Sequence, residues 1–168
     1  MLGPGRQQGW HHGPMNEPQD PTLRSIELTR TATGRYTARN TAGAEIAFGQ
    51  GENLLSPVEL LLAAIAGCSS IDVDTVTSRS SEPSQFRVKA TGHKVAEHHG
   101  ANHLERLQLS FHLSFPDDAG GRKAAGLVDR LVALSHDKYC TVSRTVERGT
   151  PVGHDISVDI DGTAEDAR

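Results

Sequence analysis

Residues 56–76 read SPVELLLAAIAGCSSIDVDTV, and few folds can accommodate them. Ser56 is suited to cap a helix, Pro57 to the first helical position, and Glu59 to complete a capping box three residues after Ser56. The body that follows is apolar nearly all the way round for its first turns. A helix of that kind has to be buried in a core or an interface. About 20 residues span about 30 Å, which is long for the central helix of a small domain.

The flanking segments read as strands followed by shorter helices. Residues 23–29, 35–38 and 44–48 alternate and are separated by turn signals at Gly34 and Gly43, as in an antiparallel meander. Residues 86–95 alternate with Phe86, Val88 and Ala90 inward. Leu107, Leu109, Phe111, Leu113 and Phe115 alternate strictly with polar residues, which marks a strand with one buried and one wet face. Residues 122–134 read as one amphipathic helix and residues 139–147 as a short helix stopped by Gly149. Ile156, Val158 and Ile160 suggest a closing strand. Strands grouped together rather than alternating with helices predict an α+β fold.

The chain has 168 residues, enough for one domain, placed here at residues 22–162. Residues 1–21 are rich in Gly and Pro and are expected to be a disordered tail, with Met15 a rival start to Met1; residues 163–168 are expected to be a second tail. With 36% hydrophobic and only 4% aromatic residues, the expected core is aliphatic. A net charge of -4 argues against nucleic acid or an anionic membrane as partner. No secretory signal or membrane-spanning run is recognised, so a soluble cytoplasmic protein is expected.

Cys68 and Cys140 are the only cysteines. There is no CxxC, which excludes a thioredoxin-type motif and a four-cysteine zinc site. In a reducing compartment both are free thiols by default, either inert and buried or transiently linked in catalysis. An apolar helix raises a thiol's pKa, so a reactive Cys68 needs a cation beside it, and Arg suits because it stays charged. Arg35 or Arg39 from the first strands could supply it, with Glu59 or Glu52 holding the Arg. A second thiol would then condense with the sulfenic acid left by peroxide attack.

Two separated motifs carry a resemblance. Gly51-Glu52-Asn53 followed by Ser56 to Cys68 and Ile71-Asp72-Val73 is one. Lys138 to Ser143 followed by Gly149-Thr150-Pro151-Val152 is the other. Together they resemble the osmotically inducible protein C and organic hydroperoxide resistance (OsmC/Ohr) superfamily, in its OsmC-like branch, over about residues 23–161. The resemblance implies antiparallel sheets around a long buried central helix in an intertwined homodimer. It implies a thiol peroxidase for organic hydroperoxides, with Cys68 peroxidatic, Cys140 resolving and Arg35 matching the active-site Arg (Arg39 is the rival). It also implies electrons from a lipoyl-type or other external dithiol, and no metal or bound redox cofactor. The peroxidase branch has an acid directly after the helix-starting Pro. Here that residue is Val58 and the acid is Glu59, about 100° further round the helix. Glu59 is therefore either the Arg clamp or simply the capping-box acid.

Other groupings carry less. His93, His98, His99 and His103, with Glu97 or Glu105, fit no standard zinc spacing. Asp72 shares a face with Cys68 but as a carboxylate would oppose its ionisation. His136 next to Cys140 is a weak hint of a Cys–His pair. A dimeric small-molecule binding protein and a stoichiometric redox sensor are the alternatives to a peroxidase.

Overall fold

The computed structural model describes residues 20–158. Most of the expected N-terminal tail, Met15, Ile160 and the expected C-terminal tail lie outside the described residues. The chain divides into two compact units between Leu54 and Leu55.

The first unit is a three-stranded antiparallel meander of β1 (Ile26–Ala32), β2 (Arg35–Asn40) and β3 (Glu45–Gly49), in that order. β1 starts three residues later than the alternation suggests, because Asp20 to Leu23 form a turn. Asp20 closes it by accepting the Thr22 N–H on its side chain at 2.8 Å and the Leu23 N–H on its carbonyl at 3.1 Å. Asn40 closes the β2–β3 turn, its Oδ1 accepting from the N–H groups of Ala42 and Ala44 at 3.0 and 2.9 Å. Such side-chain mimicry of a backbone turn is what Asn does well. The register sets Tyr36 opposite Phe48, with ring centroids 5.9 Å apart.

The second unit runs α1 (Pro57–Thr77), β4 (Gln85–Ala96), β5 (Asn102–Ser114), α2 (Ala119–Ala125), α3 (Val128–Leu134), one π-helical turn (Ser135–Tyr139) and α4 (Thr141–Arg148). β4 and β5 form an antiparallel hairpin that packs on α1, and α1 also packs on α3, the π turn and α4. Antiparallel sheets with segregated helices make the expected α+β class.

α1 begins as its sequence dictates. Ser56 is the N-cap and Glu59 reciprocates, its Oε2 accepting from the Ser56 N–H and Oγ–H at 2.7 Å each. The burial is not as expected. Within this chain only Ile65, Ser69, Val73 and Thr77, at steps of four, are buried. Ile71 stays 65% exposed and Val58 42%. By length and composition α1 would also pass as a membrane span, but Asp72 and Asp74 interrupt it and its buried stripe packs on protein.

Three further expectations are corrected. The helix expected over residues 122–134 is two helices, broken at Gly126 and Leu127, where the Leu127 N–H bonds Ala124 instead of continuing the helical ladder. α2 also starts earlier, capped by Asp118, whose Oδ1 accepts from the Gly121 N–H at 2.7 Å. Gly120 and Gly121 look like breakers but are required by close backbone approaches, to Ser80 and to the preceding turn respectively. A Cβ on Gly121 would lie 1.9 Å from the Pro116 carbonyl oxygen, and one on Gly120 2.6 Å from that of Ser80. Ile156 and Val158 form no strand. Finally, the innermost side chains are not purely aliphatic. Val73 shares complete burial with Thr77, Ser135 and Cys140. Small residues are what close contact between α1 and the C-terminal helices admits.

Removing the cap should be measurable. Ser56→Ala is expected to lower unfolding stability by about 1 kcal/mol in urea denaturation followed by circular dichroism. Glu59→Gln should cost less than Glu59→Ala, because an amide oxygen still accepts from Ser56.

Candidate active site

The two cysteines come from elements far apart in sequence. Cys68 lies midway along α1 and is half-buried; Cys140 is the N-cap of α4 and is fully buried. The π turn delivers Cys140, whose N–H closes it by donating to the Ser135 carbonyl at 2.8 Å. The thiols are unlinked and adjacent enough that each shifts the other's ionisation.

Serines surround Cys140. Ser69 Oγ–H donates to Cys140 Sγ at 3.2 Å, and the Ser143 N–H donates to it at 3.4 Å. The Cys140 S–H donates to Ser143 Oγ at 3.1 Å. Ser135 Oγ–H donates to the Ser69 carbonyl at 3.2 Å. Ser69, Ser135 and Ser143 are all buried.

These contacts split the two thiols. Burial pushes the Cys68 thiol up. The Val142 and Thr141 N–H groups pull it down, while the neighbouring Cys140 adds to the rise, and the net direction is upward. Burial also opposes ionisation of Cys140. There, however, Ser143, Ser69 and the Cys68 thiol together outweigh it, and its pKa falls below the ordinary thiol value. The pair titrates as a unit, with the first negative charge resting on Cys140.

A cavity of about 450 Å³ opens beside this seam. Leu62, Ile65, Leu107, Phe111 and Val132 give it apolar walls, and Ser69 and Ser143 join it to the Cys140 surroundings. In its lining His136 Nε2 lies 3.6 Å from a Glu147 carboxylate oxygen, so its polar neighbour is Glu147 rather than a cysteine.

The other expected residues lie as follows. Glu59 is engaged with Ser56, whose backbone and side-chain hydrogen bonds hold its carboxyl below the usual value. Arg39 forms a surface pair with Glu45. Arg35 opens β2 in the N-terminal unit, and its Nε donates to the Gln50 carbonyl at 3.1 Å. Its guanidinium lies where a side chain on Gly51 would be, since a Cβ there would sit 2.6 Å from Nη2. That accounts for Gly51 in the Gly51-Glu52-Asn53 motif. His103 pairs with Glu97 and Glu105 at 3.1 and 3.2 Å, and His98 and His99 sit at the β4–β5 turn. Among the described residues no group of three His, Cys, Asp or Glu is arranged to hold a metal.

Residues 49–155 match the family described as OsmC-like protein. The chain belongs to the OsmC-like family. An uncharacterised protein of Mycobacterium tuberculosis is 30% identical over 137 residues, covering 80% of this chain and 96% of its own. Protein YhfA of Escherichia coli is 31% identical over 109 residues, covering 64% of this chain and 76% of its own. The solved structure of an OsmC-like protein of unknown function from Vibrio cholerae superposes with a TM-score of 0.61 at 15% identity, covering 75% of this chain and 94% of that one; it shares the fold.

In this OsmC-like protein, sequence reasoning found the cysteines and missed Ser69, Ser135 and Ser143. One signal was available for Ser69. Ile65, Val73 and Thr77 at steps of four place it on the inward stripe, whereas the adjacent Ser70 lies off it.

The two thiols should separate on titration. Reduced protein is expected to gain its first thiolate, read by ultraviolet absorbance, below the pH of an ordinary thiol and its second above it. Cys140→Ser should abolish the first step and leave only the high one.

Proposed function

We propose that this protein is a thiol-dependent peroxidase that reduces organic hydroperoxides to alcohols and so protects the cell against oxidative stress. The observation that carries the reading is the meeting of two unlinked thiols, 72 residues apart in sequence, beside an apolar cavity lined by Ser69 and Ser143, the hydrogen-bond partners of Cys140. In the singly ionised pair the Cys68 S–H donates to the Cys140 thiolate and can pass its proton there. The Cys68 sulfur attacks the distal peroxide oxygen and the O–O bond breaks. The alkoxide takes a proton from solvent and leaves as the alcohol, while Cys68 becomes the sulfenic acid. The Cys140 thiol then condenses with it, releasing water and forming the Cys68–Cys140 disulfide. An external dithiol, lipoyl-type or similar, restores both thiols, so no metal or bound redox cofactor is needed.

Within this proposal Arg35 is the cation that favours the Cys68 thiolate and orients the peroxide, with the Gln50 carbonyl steadying it from its own unit. Val58 stands at the position after Pro57, and Glu59 acts through the cap. The cavity's apolar walls favour alkyl over hydrogen peroxide. A cytoplasmic homodimer fits the apolar residues left uncovered on this chain, such as Ile26 at 70% and Ile71 at 65% exposure. The cavity also suits a small apolar ligand, which is the second reading.

Counting free thiols after a slight excess of cumene hydroperoxide separates the two. Rapid loss of both thiols in the wild type, loss of neither in Cys68→Ser, and faster reaction than with hydrogen peroxide are expected. Thiols that survive the organic peroxide would reject the peroxidase and leave the binding reading.

A further inference from the structure

Hydroxyls on a helix usually bond their own backbone one turn back. Ser70 does so, donating to the Ala66 carbonyl at 2.7 Å, and Thr77 donates to that of Val73 at 2.8 Å. Ser69 does not. Its hydroxyl crosses to another element and donates to Cys140 Sγ, and its backbone is fixed in turn by Ser135. Ser143 approaches the same sulfur from α4 with both its N–H and its hydroxyl. A hydroxyl rotor can turn to donate, so the Ser143 group that accepts from the thiol can donate to the thiolate. Cys140 thus has three protein donors available when it carries charge. Cys68 is served by backbone N–H groups of Thr141 and Val142, and it is the less buried of the two.

This asymmetry matters most when the disulfide is opened. Exchange goes faster when the departing sulfur is the better-stabilised thiolate, and it needs an attackable sulfur on the other side. We propose that Ser69 and Ser143 are positioning residues that make Cys140 the leaving thiolate, so that the external dithiol enters at Cys68. The inference rests on the two-cysteine cycle above. One thiolate of the reductant attacks Cys68 Sγ. The protein S–S bond breaks, and its electron pair goes to Cys140 Sγ, which accepts from Ser69 and Ser143. Cys68 now carries a mixed disulfide with the reductant. The reductant's second thiolate attacks its own linked sulfur, Cys68 leaves and takes a proton from solvent, and the reductant departs as a disulfide. Two electrons pass from the dithiol to the protein.

The test does not depend on peroxide turnover. Wild-type protein is oxidised with diamide and then opened by a monothiol such as N-acetylcysteine. The freed thiol is trapped by rapid alkylation, and the peptides are mapped by mass spectrometry. The adduct is expected on Cys68 and the alkyl group on Cys140. Ser69→Ala with Ser143→Ala should slow opening by about tenfold and raise the pH at which Cys140 ionises in a Cys68→Ser background, whereas Ser69→Thr should restore both. An adduct on Cys140, an unchanged rate and pH profile in the double variant, or failure of diamide to link the cysteines would overturn the proposal. Failure of the peroxidase reading is a separate result: thiols indifferent to cumene hydroperoxide in a protein that diamide still cross-links.

Discussion

Ser69 serves two partners at once, donating its hydroxyl to Cys140 and accepting from Ser135 at its carbonyl. The C-terminal unit depends on that double contact. It joins the middle of α1 to the π turn and to the N-cap of α4, all through buried side chains. A buried polar group that loses its partner costs about 1–3 kcal/mol, so the three elements have only one good registration against each other. An aliphatic seam of the same area would be less particular about rotation or sliding. The small side chains allow the helices to approach, and the hydrogen bonds fix where they stop.

The same seam divides the chemistry. Both thiols are buried to some degree, and desolvation alone would keep both protonated. The difference comes from direction: serine hydroxyls point at Cys140, while Cys68 meets backbone N–H groups and its neighbour. A π-helical turn, which is rare and often found where function demands it, sets Cys140 at the junction instead of letting α3 run on. Among the described residues, Ile26 and Leu28 of β1 and Ile71 of α1 stay exposed.

Local signals were legible where they were local in cause. The Ser56–Glu59 capping box, the Gly149 stop in the left-handed conformation and the meander turns all follow from adjacent residues. β5 was read only in part, and the reason is a bulge. The β4–β5 register shifts between Thr91 and His93, opposite Arg106 with its positive φ of 50°. After the bulge the odd-numbered Leu109, Phe111 and Leu113 are half-buried; before it Leu104 is. Alternation with a period of two cannot be followed across an inserted residue.

By itself the sequence determined the α+β class, the long helix and its start, the family, and the two cysteines as the centre of interest. Each of these rests on periodicity, capping chemistry or residue order. The tertiary structure decided the rest. It broke the helix at Gly126, made Gly120 obligatory where the chain passes Ser80, and chose Ser69 over Ser70. It also made Cys140 rather than Cys68 the more acidic thiol. Those outcomes depend on which atoms converge from distant positions, and a thiol's ionisation is set by the dipoles aimed at it, which no neighbouring residue in the chain records.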